Sequence, residues 1–422
     1  MIIRVLMVLL YAFAAGPAAA ASLAVAPGES IQQAIDRAAP GDVIEVARGH
    51  YVENLVIDKP LRLSGRQRPT LSGALRGDVI RVRAPGVTIE GFILRDSGDD
   101  LLKQNAGVYV ERHADGTVVQ RCDLVYNLFG LWIENARDVK VIGNLIVGKR
   151  DHMSPRRGNG IQLYNSSGAL IEGNNISFTR DGIYVDVSHH AVFRNNRIHH
   201  VRYGTHYMNS HNNVWEGNES YHNRGGLALM MTRNQIVRNN RAWGNSDHGI
   251  MLRTIQDSVI EGNVVAGNHR GFFIYDAEYN EIRDNLIVDN VVGIHLWAGS
   301  IHNQVDDNDF VNNQSQVKYV AARDELWGIK AGNYWSNYLG WDRNGDARGD
   351  VPYEANDIVD RLTWRYPTMR LLMASPAVQS LRLIAQQFPL LRAPSVVDRS
   401  PRMMPAHADW SRWLGKRFET PP

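Results

Sequence analysis

The sequence predicts an all-β protein, a right-handed parallel β-helix with coils of about 22 residues. Two repeating marks carry this prediction: an apolar-x-x-Asn-x-apolar pattern, and a glycine that opens a short apolar run. A short capping helix before the first coil and a helical, then extended, C-terminal tail complete the predicted architecture.

The asparagine pattern and the glycine pattern repeat with nearly the same spacing along the chain. The aligned asparagines are Asn144, Asn174, Asn196, Asn218, Asn240, Asn263, Asn285 and Asn308, at spacings of 30, 22, 22, 22, 23, 22 and 23. The aligned glycines are Gly130, Gly160, Gly182, Gly204, Gly226, Gly249, Gly271 and Gly293, at spacings of 30, 22, 22, 22, 23, 22 and 22. Since each repeat lacks the helical half of a leucine-rich repeat, stacked β-coils are the favoured interpretation.

Alternation within a coil assigns the core. In one coil the inward residues are predicted to be Ile171, Ile176, Ile183 and Val185. The asparagines occupy a turn, where their stacked amides can hydrogen-bond along the axis of the solenoid. The single cysteine, Cys122, stands one step before Asn144 in this register. It is therefore predicted to be a buried, inert residue rather than a metal ligand.

The chain divides into four predicted parts. Residues 1–21 are a signal peptide, with Arg4 before a short apolar run and a stretch of alanines at the cleavage site. Residues 22–320 form the β-helix, whose N-terminal cap is an amphipathic helix within 29–42. Residues 321–373 form a C-terminal cap with an Asp/Asn-rich loop. Residues 374–422 form an amphipathic helix and an extended tail that binds a partner.

The composition narrows the function. The net charge of +2 leaves no basic field for nucleic acid, and a single cysteine excludes an intramolecular disulfide. The N-terminal apolar run is short for a membrane anchor, the alternative to a signal peptide. We therefore expect a soluble protein outside the cytoplasm. Phe92 occupies the ladder position one coil before Cys122, so the ladder contains two 30-residue steps, from Phe92 to Cys122 and from Asn144 to Asn174. Insertions around 96–104 and 149–158 explain these two steps, and should project from one side of the solenoid.

The outward positions of the glycine strand are aromatic, with a cluster of soft ligands in the middle. Met208 and Met230 share a column on adjacent coils, His206 lies on the strand of Met208, and Met251 is close. Seven of the 15 histidines fall within 34 residues of this region. Thioether and imidazole ligands suit Cu(I), so these four residues are predicted to bind copper transiently. The alternative is an apolar docking patch for a protein.

A second candidate metal site lies in the C-terminal cap. Asp342, Asn344, Asp346 and Asp350 alternate around glycine turns and resemble a calcium loop. Tyr353 stands where the loop would have its bidentate glutamate. The alternative is a loop of Asx turns held by its own hydrogen bonds.

Carbohydrate chemistry is the other class of function that β-helices often host. Glu111 and Glu134 face outward on successive coils, at a spacing that suits a pair of glycosidase carboxylates. No third acid or base joins them, which favours two surface carboxylates. A polysaccharide lyase, epimerase or hydrolase, or a carbohydrate-binding β-helix, remains the alternative to copper handling.

Several motifs together resemble one family. The export signal, the opening SIQQAIDRAAPGDVIEV, the IEGN and GIYV coils and the closing NYWSNYLGWDRNGDARGDVPY resemble the NosD family. The resemblance implies a non-enzymatic periplasmic accessory protein for copper-site assembly in nitrous oxide reductase. Its implied partners are the membrane subunit of an ABC transporter, a copper chaperone and the reductase apoprotein. It implies contact with the membrane only through partners, and it supplies no catalytic residues.

Overall fold

The computed structural model describes residues 21–297, 299–319, 323–372, 375–387 and 394–417. It confirms the right-handed parallel β-helix, with three parallel sheets of 13, 13 and 12 strands among the described residues. The predicted signal peptide lies outside the described residues, except for Ala21. No helix among the described residues is both long and apolar enough to span a membrane.

Each regular coil contributes one strand to each sheet. The strands of the first sheet are Ser22–Val25, Val43–Val46, Arg62–Gly65, Thr88–Glu90, Val118–Gln120, Lys140–Ile142, Leu170–Glu172, Val192–Arg194, Val214–Glu216, Ile236–Arg238, Val259–Glu261, Glu281–Arg283 and Gln304–Asp306. Those of the second sheet are His50–Val52, Thr70–Ser72, Ile93–Arg95, Asp123–Asn127, Leu145–Gly148, Asn175–Ser177, Arg197–His199, Glu219–Tyr221, Arg241–Trp243, Val264–Ala266, Leu286–Val288, Asp309–Val311 and Tyr334–Trp335. Those of the third sheet are Leu55–Ile57, Ile80–Val82, Ala106–Val110, Phe129–Glu134, Ile161–Tyr164, Asp181–Asp186, Tyr203–Met208, Gly225–Arg233, His248–Gln256, Arg270–Tyr275, Val292–Leu296 and Ser315–Tyr319.

The apolar run around each asparagine forms two strands rather than one. In the coil of Asn174, Leu170–Glu172 belongs to the first sheet and Asn175–Ser177 to the second. Gly173 has a φ of +65° and turns the chain between them. Only glycine and short polar residues adopt this left-handed conformation readily, so the corner has a strong sequence requirement.

The predicted asparagine ladder is present. Asn218 donates from Nδ2 to Asn240 Oδ1 at 3.0 Å and to the Phe193 carbonyl at 2.9 Å. The same side-chain bond links every neighbouring pair from Asn144 to Asn308, and it continues to Asn333. Cys122 occupies the ladder position before Asn144 and is fully buried, and burial raises the pKa of its thiol to about 11.

A second ladder lies at the corner between the second and third sheets. Its members are Asn223, Asn245, Asn268, Asn290 and Asn313. The apolar positions between the corners form a continuous core, and the four inward residues predicted for the Asn174 coil are all fully buried. Hydrogen bonds at the corners and apolar packing between them therefore hold every coil to the next.

A helix covers the N-terminal end. It spans Ile31–Arg37, begins at the N-cap Ser30 and buries Ile31, Ala34 and Ile35 against the first coil. This confirms the predicted cap.

The two insertions contact each other. The Nζ of Lys149 is buried and donates to the Ser97 carbonyl at 2.9 Å and to Asp99.

The C-terminal end is closed by a small mixed sheet of Glu325–Trp327, Val396–Asp398 and Tyr353–Glu354. The C-terminal region also contains helices Ile358–Arg365 and Pro376–Gln387 and the 3₁₀ turns Pro367–Leu372 and Trp410–Trp413. A further 3₁₀ turn spans Ser154–Arg156 in an insertion. The predicted amphipathic helix is Pro376–Gln387, where Val378 is buried and Ile384 is exposed.

The described part of the tail packs on its own solenoid. Asp398 is fully buried, and its Oδ2 accepts the Asn333 side chain at 3.0 Å and the Trp335 indole N–H at 3.0 Å. Arg402 and His407 both bind Asp309, and Trp413 packs in a patch with Ala266, Leu286 and Val288. The described tail residues 394–417 therefore pack on the solenoid, and binding of a partner by the tail stays a prediction. Its ion pairs join residues about a hundred positions apart, which no local pattern reveals.

Candidate functional site

The third sheet confirms the outward columns. One column runs through Tyr184, His206, Ala228, Met251 and Phe273 on successive strands. Its neighbour runs through Asp186, Met208, Met230, Arg253 and Tyr275. Because equivalent strands pair in register without a bulge here, the strands that carry each column lie about 4.8 Å apart from coil to coil. The outward face is thus a strip on which neighbours are fixed by the register.

Met208 and Met230 are directly paired in this register, and both are half-buried. The hydroxyl of Tyr184 lies 3.7 Å from Met208 Sδ, which orients the thioether from the preceding coil. The predicted methionine pair therefore exists as adjacent residues on adjacent strands. No loop needs to move to bring the two sulfur atoms into one neighbourhood.

His206 is oriented by a buried carboxylate. Its Nδ1 lies 3.0 Å from Asp181 Oδ2, and Arg202 holds the same carboxylate through Nε at 2.8 Å. Burial alone would raise the pKa of Asp181, but the bonds from Arg202 and His206 bring it below its usual value. The Nη2 of Arg202 also lies 3.1 Å from this nitrogen, so Asp181 and Arg202 together fix the orientation of the ring. A carboxylate beside one ring nitrogen is also found around histidines that bind metals.

Met251 lies in the column of His206, two coils further along, with Ala228 between them. Ala228 has no exposed surface although it occupies an outward position. Its neighbours on the strip must therefore close over it. His206 and Met251 flank this small residue, and Met208 and Met230 lie in the adjacent column.

His248 is a candidate residue that sequence reasoning missed. It opens the strand His248–Gln256 and is almost fully buried, with Nε2 lacking any hydrogen-bond partner in the described residues. Its ring stacks on Tyr203 at 5.6 Å between centroids, and the ring of His206 lies 5.4 Å from the same tyrosine. The residues just before the aligned glycines form a further column, in which Tyr203, Gly225 and His248 follow one another on successive coils. An alignment of that column would have identified His248.

The remaining histidines of this region lie at other corners. His199 and His200 face each other with their Nδ1 atoms 2.7 Å apart, and His189 stacks on His211 at 5.3 Å. The sequence grouped these residues because they are close in number, but the solenoid separates them. Across the described residues, no group of three or more His, Cys, Asp or Glu is placed to hold a metal ion.

The acidic loop of the C-terminal cap is held by its own backbone. Asp342 accepts the N–H groups of Gly345 at 2.7 Å and Ala347 at 2.8 Å. Asp350 accepts the N–H of Arg343 at 2.7 Å, and Asn344 and Asp346 bond to each other. These are the turns that the sequence offers as the alternative to calcium. Calcium binding by these four residues stays a prediction.

Glu111 and Glu134 each have a partner. Arg81 donates to Glu111 at 2.6 Å, and the hydroxyl of Tyr109 donates to Glu134 at 2.5 Å. Burial and the bond to Glu134 raise the pKa of Tyr109 well above its usual value. Both carboxylates thus contribute to contacts between adjacent coils, which agrees with the interpretation as surface carboxylates.

Comparison with known proteins gives two family matches. Residues 142–340 match the family described as "Periplasmic copper-binding protein (NosD)", and residues 15–221 match a family of unknown function, DUF1565. A protein of Pseudomonas aeruginosa named "Probable ABC transporter binding protein NosD" is 44% identical, covering 86% of this chain and 88% of its own. A protein of the same name from Stutzerimonas stutzeri is 40% identical, covering 84% and 85%.

Solved structures with the same architecture are more distant. The A-module of the Azotobacter vinelandii mannuronan C-5 epimerase AlgE6 matches with a TM-score of 0.54 and 15% identity, over 72% of this chain and 91% of that one. The A-module of AlgE4 matches with a TM-score of 0.53, also at 15% identity, over 72% and 95%. At this identity the likeness shows the fold alone.

Proposed function

Because this chain belongs to the NosD family, we propose that it is a non-enzymatic accessory protein that handles copper for nitrous oxide reductase. The family is described as periplasmic and copper-binding. Its partners are proposed to be the membrane subunit of an ABC transporter, a copper chaperone and the reductase apoprotein. The names of the two relatives support the transporter partnership.

One observation carries the copper proposal: the methionine pair and the carboxylate-oriented histidine lie together on the strip. Met208 is paired with Met230, and His206 lies two residues before Met208 on the same strand. Thioether and neutral imidazole are soft or intermediate ligands, which favour Cu(I) over hard cations such as Mg²⁺. The set contains no thiolate, so it can release the ion to an acceptor. We infer that Met208, Met230 and His206, with Met251, hold Cu(I) in transit.

The C-terminal helix is proposed to reach the membrane partner. Helix Pro376–Gln387 is amphipathic, and Ile384 is 46% exposed. Leu371 and Leu372, in the turn before it, are exposed as well. Such apolar residues at one end of a solenoid suit an interface with a protein at the membrane surface. The solenoid would then stand on the transporter with its strip free for exchange.

The decisive experiment replaces the sulfur atoms and keeps the apolar area. We expect Met208→Leu with Met230→Leu to weaken Cu(I) binding about tenfold or more, measured by competition with a chromogenic chelator without oxygen. Metallation of the reductase in cells that carry only this variant should fall in parallel. The matched control is Met153→Leu with Met404→Leu, two methionines that are 68% and 72% exposed and lie away from the strip.

The outcomes separate copper handling from docking. If the double variant binds Cu(I) normally and the reductase is fully metallated, the copper site is not on this strip. If Cu(I) binding is normal but metallation fails, the strip is a docking surface, as the apolar alternative predicts. Loss in the control pair as well would show that general thioether content, not this pair, determines affinity.

A carbohydrate-active enzyme is the second candidate. It is favoured by the cluster of Asp181, Arg202 and His206 with Tyr203 beside it, since acids grouped with basic residues serve proton transfer. However, Asp181 is only 1% exposed and already accepts from the Arg202 guanidinium and from the Tyr203 N–H, so a substrate cannot reach it as a base. Incubation with uronate polymers tests this candidate: double-bond formation or epimerisation that His206→Gln abolishes would establish it.

A further inference from the structure

Residues 402–417 of the tail form a strap along the outward face of the second sheet. Trp413 is 7% exposed and packs on apolar residues of that face such as Val288. The N–H of Gly415 donates to Asp289 at 2.9 Å, at the corner that follows the same sheet. One side of the strap is therefore fixed to the solenoid, and the side chains that remain exposed lie on its other side.

Two glycines of the solenoid make room for this strap. Gly244 and Gly267 occupy the corner position that is His222 in the preceding coil and Asp289 in the following one. All four residues have a φ between +52° and +63°, so the turn itself accepts larger residues. A Cβ on Gly267 would overlap the carbonyl oxygen of Lys416, and one on Gly244 would lie 3.0 Å from it. The two glycines therefore coincide with the path of the strap, and the seat of the strap is encoded in the solenoid.

The strap and the sheet together line a cleft of about 370 Å³ that is rich in cations. Its lining residues are Glu219, Arg241, Trp243, Arg412, Trp413 and Lys416. The Nζ of Lys416 lies 5.5 Å from the centroid of the Trp243 ring. The one carboxylate of the lining, Glu219, pairs with Arg197 at 3.2 Å and accepts the Trp243 indole N–H at 3.0 Å. Within the described residues, neither Arg241 nor Lys416 forms an ion pair.

The outward face of the first sheet is different, because its cations are paired from coil to coil. There Arg194 bonds Glu172 at 2.8 Å, and Arg238 bonds Glu216 at 3.0 Å. Such pairs cancel each other's charge within the solenoid. The two unpaired cations of the cleft produce instead a local positive potential, which attracts an anionic partner.

Apolar side chains lie beside these cations on the strap. Leu414 is 41% exposed, and Trp410 is half-buried. Arg412 and Arg417 are exposed on the same segment, at 58% and 65% of their side chains. A free anion would be held by the cations alone. Tryptophan, an exposed aliphatic residue and basic side chains are together the combination that proteins place at the surface of an anionic membrane.

We propose that the strap, with Arg241 beside it, binds directly to a bilayer that contains anionic phospholipids. The exposed cations contact the lipid phosphates, and Leu414 and Trp410 reach the headgroup region. This contact goes beyond attachment through partner proteins, and it does not depend on copper binding. It holds the C-terminal coils of the solenoid at the membrane surface, at the end that is proposed above to meet the membrane partner.

Sedimentation with vesicles tests the proposal on the exported protein without its predicted signal peptide. One set of vesicles contains phosphatidylcholine alone, and the other contains phosphatidylcholine and phosphatidylglycerol in equal parts. We expect binding to the mixed vesicles at low salt, weaker binding at high salt because the charges are screened, and little binding to phosphatidylcholine alone.

Neutral variants test the cations of the cleft. Arg241→Gln with Lys416→Gln should weaken binding to the mixed vesicles about tenfold or more. The matched control is Arg48→Gln with Arg76→Gln, two exposed arginines on the first coils, which should bind as the unsubstituted protein does. Arg241→Gln alone changes the solenoid and not the strap, so it cannot act by releasing the strap, and it should weaken binding about threefold or more. Leu414→Ala should weaken the part of the binding that resists high salt.

The proposal is overturned if the unsubstituted protein does not bind the mixed vesicles, or if the control pair weakens binding as much as the double variant. It is also overturned if the double variant binds vesicles normally but is no longer captured by the membrane subunit of the transporter, since the strap would then bind a protein. None of these measurements includes copper, so their outcome is independent of the copper proposal.

Discussion

The asparagine corner and the outward strip of the third sheet lie on the same coils, yet the corner repeats one residue type while the strip changes residue type from coil to coil. At the corner the same residue returns in every coil from Asn144 to Asn333, because each side chain must bond to an identical neighbour. On the strip the residue changes at nearly every coil, from Tyr184 to His206, Ala228 and Met251. Repetition marks what holds the solenoid together, and departure from repetition marks where a ligand or partner can be recognised.

The largest expected effect comes from breaking the ladder in its middle. The backbone N–H and the Nδ2 of Asn196 both donate to the side-chain oxygen of Asn218, whose Nδ2 donates to the Phe193 carbonyl. Asn218→Leu would leave these three groups without those partners in a buried corner. We expect a loss of about 3 kcal/mol in the free energy of unfolding, measured by chemical denaturation.

Two controls sharpen this contrast. Asn175→Leu changes an exposed asparagine next to the ladder and should alter stability by less than about 0.5 kcal/mol. The methionine double variant on the strip should cost less than about 1.5 kcal/mol, since leucine fills nearly the same volume. If the strip variant destabilised the protein as much as Asn218→Leu, the distinction between the two regions would fail.

A smaller effect is expected at the end of the ladder. Asp398→Ala removes the acceptor of the Asn333 amide and the Trp335 indole, and should cost about 2 kcal/mol. Amide exchange should accelerate in the last coil and not around Asn218. The control is Asp409→Ala, whose carboxylate is 53% exposed and pairs only with Arg412 in the described structure. Uniform acceleration along the whole solenoid would contradict a local capping role.

The smallest effect is a pH dependence of tail docking. The hydrogen bond to Asp309, at 2.7 Å, raises the pKa of His407 above its ordinary 6.5. This contribution is complete below pH 6.5 and is lost as the pH rises through the raised pKa. Proteolysis within 402–417 should therefore become faster between about pH 6 and about pH 9. His407→Gln should remove that dependence, and a tail equally protected across this range would refute it.

The sequence predicted the solenoid because its evidence is periodic. Spacing alone placed Asn174, Ile176 and Ile183 in register, and the same spacing paired Met208 with Met230 on adjacent coils. The sequence also placed the asparagines at a turn, but it did not show that the residue before each asparagine, such as Gly173, divides the pattern between two sheets. A plain count of apolar residues cannot distinguish a bent run from a straight one.

The packing of the tail and the position of His248 were missed because they depend on contacts that do not repeat along the sequence. Arg402 and His407 meet Asp309 across more than 90 positions, so no local pattern could place the tail on the solenoid. His248 was missed for a different reason: its ring packs where a side chain at position 225, one coil earlier, would lie, and a glycine does not reveal which residue packs against it. The predicted calcium loop shows that a clear local pattern can also be ambiguous. Alternating acidic residues fit both a calcium loop, where the carboxylates bind the ion, and a loop of Asx turns, where they accept backbone N–H groups.

Asp398 also sets an order of events during biosynthesis. The chain is synthesised from its N-terminal end, so each coil is available before the one that stacks on it. The final acceptor of the ladder, however, stands 65 residues beyond Asn333, so it is made only after every asparagine of the ladder. A polypeptide that stops before this carboxylate carries an open strand edge, which can pair with other chains and attract proteases. The return of the tail thus distinguishes molecules that contain Asp398 from those that end before it.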